Sequence, residues 1–468
     1  QSRGLGDVYK RQHGTAENGK TIYAYGGDHG EEIHDGNFCM DGLIYPDRTV
    51  HTGLLEYKNV YRPVRVVSYD KESGELVLHN YMDFDDLKDY VKISYELTQD
   101  GLVISKGILP EFSVAPHGEG KTNLKINVPE NGKCYLKLIY HLKKELPLLD
   151  EDHILGFDEI EVSKDGAKCK FAEKWLQKTA VDSELQVNEN DTQIHIKGRE
   201  FAYTIDKRTA LFTEMKFAGR EYLNHPMELN IWRAPTDNDM YIKSEWKKAH
   251  YDKAYTRAYT TEVVQGKHGV KITSHASVVA ETVQKILDVT ITWKIEAAGK
   301  IDADIAVTKD DEFPDLPRFG VRMFLDKKLS AVRYFGMGPQ ESYCDKHQAA
   351  SHGLYRADVG DLHEDYIRPQ ENGSHYDCEY VELNNSRYGI VASAEKAFSF
   401  NASYYTQEEL EKKTHNYELI ESDSVVFCVD YALNGIGSNS CGPVVLEQYR
   451  FDDVLFRFQF TLIPYVKG

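Results

Sequence analysis

Short runs of strict apolar/polar alternation recur along this chain, and a period of two marks a strand with one face in a core. Val91, Ile93, Tyr95 and Leu97 alternate with Lys92, Ser94, Glu96 and Thr98. The run stops at Asp100-Gly101 and resumes at Leu102-Val103-Ile104, a strong hairpin signal. Tyr135 to Tyr140, Ile194 to Lys197, Phe201 to Ile205, Leu287 to Ile295 and Phe456 to Leu462 repeat the pattern. The 31 Tyr and 19 Phe against 14 Pro suit half-buried strands, so the chain reads as β-rich. One short helix is expected after Thr406, which forms a capping box with Glu409 ahead of Leu410.

The 468 residues are enough for two or three domains. Residues 1–12 share no periodicity with the rest of the chain and read as a non-native or boundary leader. From Ile22 to Glu56 the text is Gly-rich and Asp-rich with short apolar runs, which is loop language. Between about Tyr61 and Ser163, short strands punctuated by turns suggest a sandwich of immunoglobulin size. Phe171 to Asp182 carries a thin apolar stripe (Phe171, Trp175, Leu176) and reads as a linker compatible with a helix, with a boundary near Val181. The remainder, strands without alternating helices, argues for a large all-β sandwich and against an α/β barrel.

A net charge of −19 disfavours nucleic acid as a partner, because phosphate binding draws its affinity from Lys and Arg. No run approaches the ~20 apolar residues of a membrane helix. Seven scattered cysteines without a Cys-x-x-Cys pair suggest buried thiols, not a disulfide framework or a zinc site, and a cytoplasmic location.

The residues alone leave the chemistry open. Asp237-Asn238-Asp239 could bind a cation or a sugar hydroxyl, or satisfy backbone amides as an Asx turn. Gly336-Met337-Gly338-Pro339-Gln340-Glu341 lacks the third Gly and following helix of a phosphate loop and reads as a tight connection between strands. His29, His34 and His51 lie near several acids but lack the i, i+4 spacing of a zinc hydrolase. There is no Gly-x-Ser-x-Gly elbow, and Ser342, Ser374 and Ser440 have no local triad.

Longer stretches are more specific. Ala24-Tyr25-Gly26-Gly27-Asp28, Asn37-Phe38-Cys39-Met40-Asp41-Gly42-Leu43, Asp47-Arg48-Thr49 and Glu56-Tyr57-Lys58 resemble the end of the catalytic barrel of bacterial β-galactosidases in glycoside hydrolase family 2. Trp232 to Asp239, Gly336 to Tyr343, Pro369 to Gly373 and Gly435-Ile436-Gly437 resemble that family's C-terminal module, in the same order. The resemblance implies a mainly β fold. A (β/α)8 barrel remnant (13–58) would lead into an immunoglobulin-like β-sandwich (59–165). A linker (166–183) and a large antiparallel, galactose-mutarotase-like β-sandwich (184–468), the small-chain module, would come next.

The resemblance also implies an activity and its division. A retaining β-galactosidase hydrolyses terminal β-D-galactosides, such as lactose, with two carboxyl groups about 5–5.5 Å apart. In this family both Glu residues precede the motif at Ala24, so no residue here is assigned a catalytic role and the chain alone is expected to be inactive. Its implied partners are the galactoside, the missing N-terminal and barrel portion, and further copies in a homo-oligomer. The alternative is a natural non-catalytic small subunit, or carbohydrate-binding module, completing a separate barrel chain.

The complete enzyme would use Mg2+ and Na+. Phe38 matches the residue lending a backbone carbonyl to sodium and a ring to the pocket wall. Asp41 stands where an Asn commonly ligates that ion and touches sugar hydroxyls. His34 falls near an accessory magnesium position. Cys441 lies in a loop reaching the pocket, where some members offer a Trp platform that a Cys cannot replace. Arg233, Asp237, Asp239 and Gln340 are expected chiefly to fix turns and domain contacts.

Overall fold

The computed structural model describes residues 12–40, 42–176 and 185–467. It is mainly β throughout. A small hairpin, Gln12–Thr15 with Thr21–Tyr23, precedes a 3-10 turn at Gly36–Met40 and a helix at Thr52–Val60. That helix occupies ground whose Gly and Asp content reads as loop as far as Glu56. It starts because the His51 side chain accepts from Gly53 N, a cap outside the usual Ser, Thr, Asp and Asn.

Two sheets come next. One orders Val64–Tyr69, Glu75–Asn80 and Glu119–Asn123; the other orders Leu102–Ile108, Val91–Gln99, Cys134–Leu142 and Ile154–Glu161. The hairpin expected at Asp100-Gly101 is present, with Gln99 opposite Leu102. Alternation places Leu76, Leu78, Val91, Ile93, Leu97, Leu136, Leu138 and Tyr140 in one core. A short helix, Lys170–Leu176, covers part of the sequence expected to link the sandwiches, while Val181 lies outside the described residues.

From residue 185 onward the chain forms a five-stranded sheet and a twelve-stranded antiparallel sheet around one large core. Trp293 is fully buried in it, its indole N–H donating to Ala210 O (2.8 Å). The helix after Thr406 is Gln407–Lys412, capped by Thr406 accepting from Glu409 N. Gly336 and Gly338, expected in a connection between strands, lie instead inside the strand Ala331–Gly338. Packing demands them there, because a Cβ would stand 2.2 Å from Cys378 Sγ at Gly336 and 2.1 Å from Tyr334 OH at Gly338.

Charged contacts lock the two sandwiches together. The His352 ring stacks on Tyr135 at 4.2 Å, with Nδ1 2.7 Å from Glu159 and Nε2 3.0 Å from Asp377. Burial pushes the imidazole pKa down, but the hydrogen bonds and charges of Asp377 and Glu159 outweigh it and raise it to about 9. The ordinary value for a histidine is 6.5. The contribution to stability is therefore fully present below about pH 6.5 and fades as pH rises through about 9. His352→Asn should lose on the order of 2–3 kcal/mol at pH 6 and much less at pH 10, read by urea unfolding at both.

Candidate functional site

A cleft of about 420 Å³ opens where the segment 37–56 meets loops of the large sandwich. Glu341, a carboxylate 3% exposed, lines it. Lys346 Nζ donates to Oε1 at 2.6 Å, as do the Tyr366 hydroxyl at 2.6 Å and the Thr52 hydroxyl at 3.1 Å; Gly373 N donates to Oε2 at 2.8 Å. Burial pushes this acid upward, yet Lys346, Tyr366 and the Gly373 amide more than offset it and hold it at about 2. Glu341 is thus ionised at neutral pH and ties the helix Thr52–Val60 to the sandwich.

His51 caps that helix between the rings of Tyr45 (4.8 Å) and Tyr366 (5.1 Å). Burial and then the Lys346 charge push it down to about 4, so it is neutral at pH 7. The Tyr45 hydroxyl donates to Glu364, whose carboxyl burial pushes upward. Glu56 accepts from the backbone N–H groups of Gln348 (2.8 Å) and Ala349 (2.7 Å).

The opposite wall is polar and begins with a turn. Thr236 and Asp239 form a capping box around the 3-10 turn Asp237–Asp239. Beneath it, buried Arg233 donates to both Asp239 oxygens (3.1 and 2.7 Å) and to the carbonyls of Asn434 and Gly435. Arg233 and Asp239 are therefore spent on the turn, which leaves the Asp237 side chain at the surface. Asn37 Nδ2 donates to Asp237 (2.9 Å), as does Gln370 Nε2 (3.1 Å), while Arg368 donates to Asn37 Oδ1 (2.9 Å). Asp345 accepts from Ile436 N (2.9 Å) and Gly437 N (2.7 Å). The result is a row of amide, carboxylate and guanidinium groups at one rim, the equipment for recognising hydroxyl groups.

The residues singled out by sequence surround this cleft unevenly. Phe38 is 39% exposed in the turn Gly36–Met40, between Asn37 and Cys39, which line the cleft. His34 is exposed, accepts from Gly36 N at 3.1 Å, and packs against Gly27. Cys441 is exposed beside Ser440, whose hydroxyl donates to the cleft residue Asn238 (3.0 Å). Asp41 lies outside the described residues. Glu341, Lys346, Tyr366 and Arg368 take cleft positions that local sequence does not single out individually, although Glu341 and Gln370 fall within the family-like motifs.

The described cleft residues suit a metal ion poorly. Asp237 and Asp345, the carboxylates nearest such a role, already accept from side-chain amides and backbone N–H groups. Among the described residues no group of three or more His, Cys, Asp or Glu is placed to hold an ion, and no helix is long and apolar enough to cross a membrane.

Comparison with known proteins accounts for these parts in chain order. Residues 7–66 match the model "Glycosyl hydrolases family 2, TIM barrel domain", 76–163 match "Beta-galactosidase, domain 4", and 197–462 match "Beta galactosidase small chain". The chain is 44% identical to a β-galactosidase of Actinobacillus pleuropneumoniae, covering 94% of this chain and 43% of that protein. It is 32% identical to one of Staphylococcus xylosus, covering 95% and 44%. It thus spans less than half the length of these curated relatives. Among solved structures, a galactose 1-epimerase from Lactobacillus acidophilus NCFM is similar over 62% of this chain and all of that one, at 8% identity and a TM-score of 0.34. With the small-chain model matching more than half of its length and barrel and domain 4 models ahead of it, the chain belongs to the β-galactosidases of glycoside hydrolase family 2.

Proposed function

We propose that this chain is the C-terminal part of a retaining β-galactosidase acting on terminal β-D-galactosides of the lactose type, and that alone it does not catalyse. Residues 13–58 are then the barrel's tail, 59–165 the immunoglobulin-like sandwich, and 184–468 the small-chain sandwich. One observation carries the reading: each carboxylate among the described cleft residues is already committed. Glu341 is bound by Lys346, Asp237 by Asn37 and Gln370, and Glu56 and Asp345 by backbone N–H groups. Glu371 is raised by burial but accepts from Arg318 at 3.0 Å. Retaining hydrolysis needs one carboxyl free to attack and another free to exchange a proton with the leaving oxygen. Among its described residues the cleft offers a hydroxyl-recognising wall without that pair.

In the complete enzyme, the ring of Phe38 and the loop carrying Cys441 border the galactoside. The Phe38 carbonyl, Asp41 and His34 are the contacts toward Na+ and Mg2+, and they need further ligands from outside this cleft. No step is assigned to either ion. Homo-oligomeric assembly and a cytoplasmic location belong to the same proposal.

The test is a chimera joining the unmatched N-terminal portion of the Actinobacillus pleuropneumoniae relative to this chain. It should hydrolyse o-nitrophenyl β-D-galactoside, and NMR should find the β-anomer of galactose as first product. A cooperatively folded chimera that releases the α-anomer, or prefers another glycoside, would refute the assignment.

A further inference from the structure

His51 lines the cleft and is held there by three contacts. Tyr45 and Tyr366, which line the same cleft, flank its ring at 4.8 and 5.1 Å between centres. Its Nδ1 accepts from Gly53 N at 3.1 Å and so caps the helix Thr52–Val60. An Nδ1 that accepts carries no proton, and the imidazole is neutral at pH 7, so the ring's one proton sits on Nε2.

That Nε2–H is the group left over. Among the described residues it has no hydrogen-bond partner, yet it is not sealed from solvent as the unpartnered Nε2 of buried His375 is; it keeps accessible surface on a residue that lines the cleft. The charges that act on the ring do not serve it. Lys346 has only donors, and Glu341 already accepts from Lys346, Tyr366, Thr52 and the Gly373 amide. The cleft thus presents a neutral N–H whose tautomer a helix cap fixes and whose ring packing restrains. In a cleft that also carries amide, carboxylate and guanidinium groups, such a donor fits an uncharged oxygen of the kind a sugar offers.

We propose that His51 is a sugar-binding residue, its Nε2–H donating to an oxygen of the molecule held in the cleft. The identification of that molecule as a galactoside rests on the proposed function; the donor itself does not. Capping the helix and contacting the sugar then belong to two nitrogens of one ring, and two substitutions separate them. Asn at position 51 keeps an oxygen suited to the cap but is too short to reach the place of Nε2. Gln reaches that place with an amide N–H but is not a favoured cap.

The test is imidazole NMR on the full 468-residue chain carrying nitrogen-15-labelled histidine, titrated at pH 7 with lactose and with cellobiose. The His51 signal is assigned by its loss in His51→Asn, and affinities are read by saturation transfer from protein to sugar. The ring should show the Nε2–H tautomer, and its signal should move saturably with sugar. His51→Asn should melt close to the parent yet bind about tenfold more weakly, whereas His51→Gln should melt lower yet bind within about twofold of the parent. A response to cellobiose and not to lactose would keep the role of His51 and refute the galactoside. Lactose bound equally by parent and His51→Asn would leave the galactoside standing and overturn the role of His51. That role is also overturned if the ring proton sits on Nδ1, if neither sugar moves the signal, or if affinity falls in His51→Gln and holds in His51→Asn.

Discussion

Replacing Glu341 with alanine should destabilise the folded chain by about 3–5 kcal/mol at pH 7, among the largest effects of any single change. The loss is not one contact. Lys346, Tyr366, Thr52 and the Gly373 amide all direct donors at this carboxylate, and without it the Lys346 charge loses its ion-pair partner. Glu341→Gln should cost less, because an amide oxygen still accepts while the charge is gone. The pH dependence distinguishes this from simple loss of packing. The folded pKa of about 2 lies below the ordinary 4.5, so the carboxylate stabilises above about pH 4.5 and ceases to as pH falls through about 2. Urea midpoints of parent and variant should therefore converge between about pH 5 and pH 2.

The second large effect belongs to Arg318, which is fully buried with Glu371 at 3.0 Å and Asp430 at 3.2 Å. Arg318→Met leaves two carboxyl groups in the core without their cation and should cost about 3–5 kcal/mol at pH 7.5. Asp430 titrates in the opposite sense to Glu341. Burial pushes it up, Arg318 only partly restrains it, and it sits at about 7 against an ordinary 3.8. The folded chain thus holds a proton there that the unfolded chain releases, and stability from this site falls as pH rises from about 4 to 7. Asp430→Asn removes that slope: it should be close to neutral at pH 4 and gain relative to the parent at pH 8, by denaturant unfolding.

What local sequence reveals here is what local interactions cause. The hairpin at Asp100-Gly101 and the helix after Thr406 each depend on residues within a few positions of one another, and both are present. The helix Thr52–Val60 is hidden in the sequence because Gly53 weakens its propensity and a histidine caps it. The glycines at 336 and 338 suggest a turn, whereas they are required by Cys378, Tyr334 and Tyr355 packing across the sheet. The cleft is least legible. Thr52 and Glu341 are 289 positions apart, and Asn37 and Asp237 are 200 apart. No periodicity records such pairs; only motifs in a familiar order point to that surface, and they do so without saying which side chain does what.

Arg233 illustrates the difference between motif and role. It stands in the stretch Trp232 to Asp239, yet it is wholly buried and its donors are spent on Asp239, Asn434 and Gly435. Asp237, flanked by the buried Thr236–Asp239 cap that aims it, reaches the cleft rim together with Thr236 and Asn238.

The division of labour proposed for this chain is tested most directly by assaying the purified 468 residues alone against o-nitrophenyl β-D-galactoside. No release of nitrophenol above the buffer rate is expected at any protein concentration. Turnover that scales with the chain and disappears on substituting a carboxylate of the described cleft, such as Glu371→Gln in a variant that still folds, would contradict the proposed division.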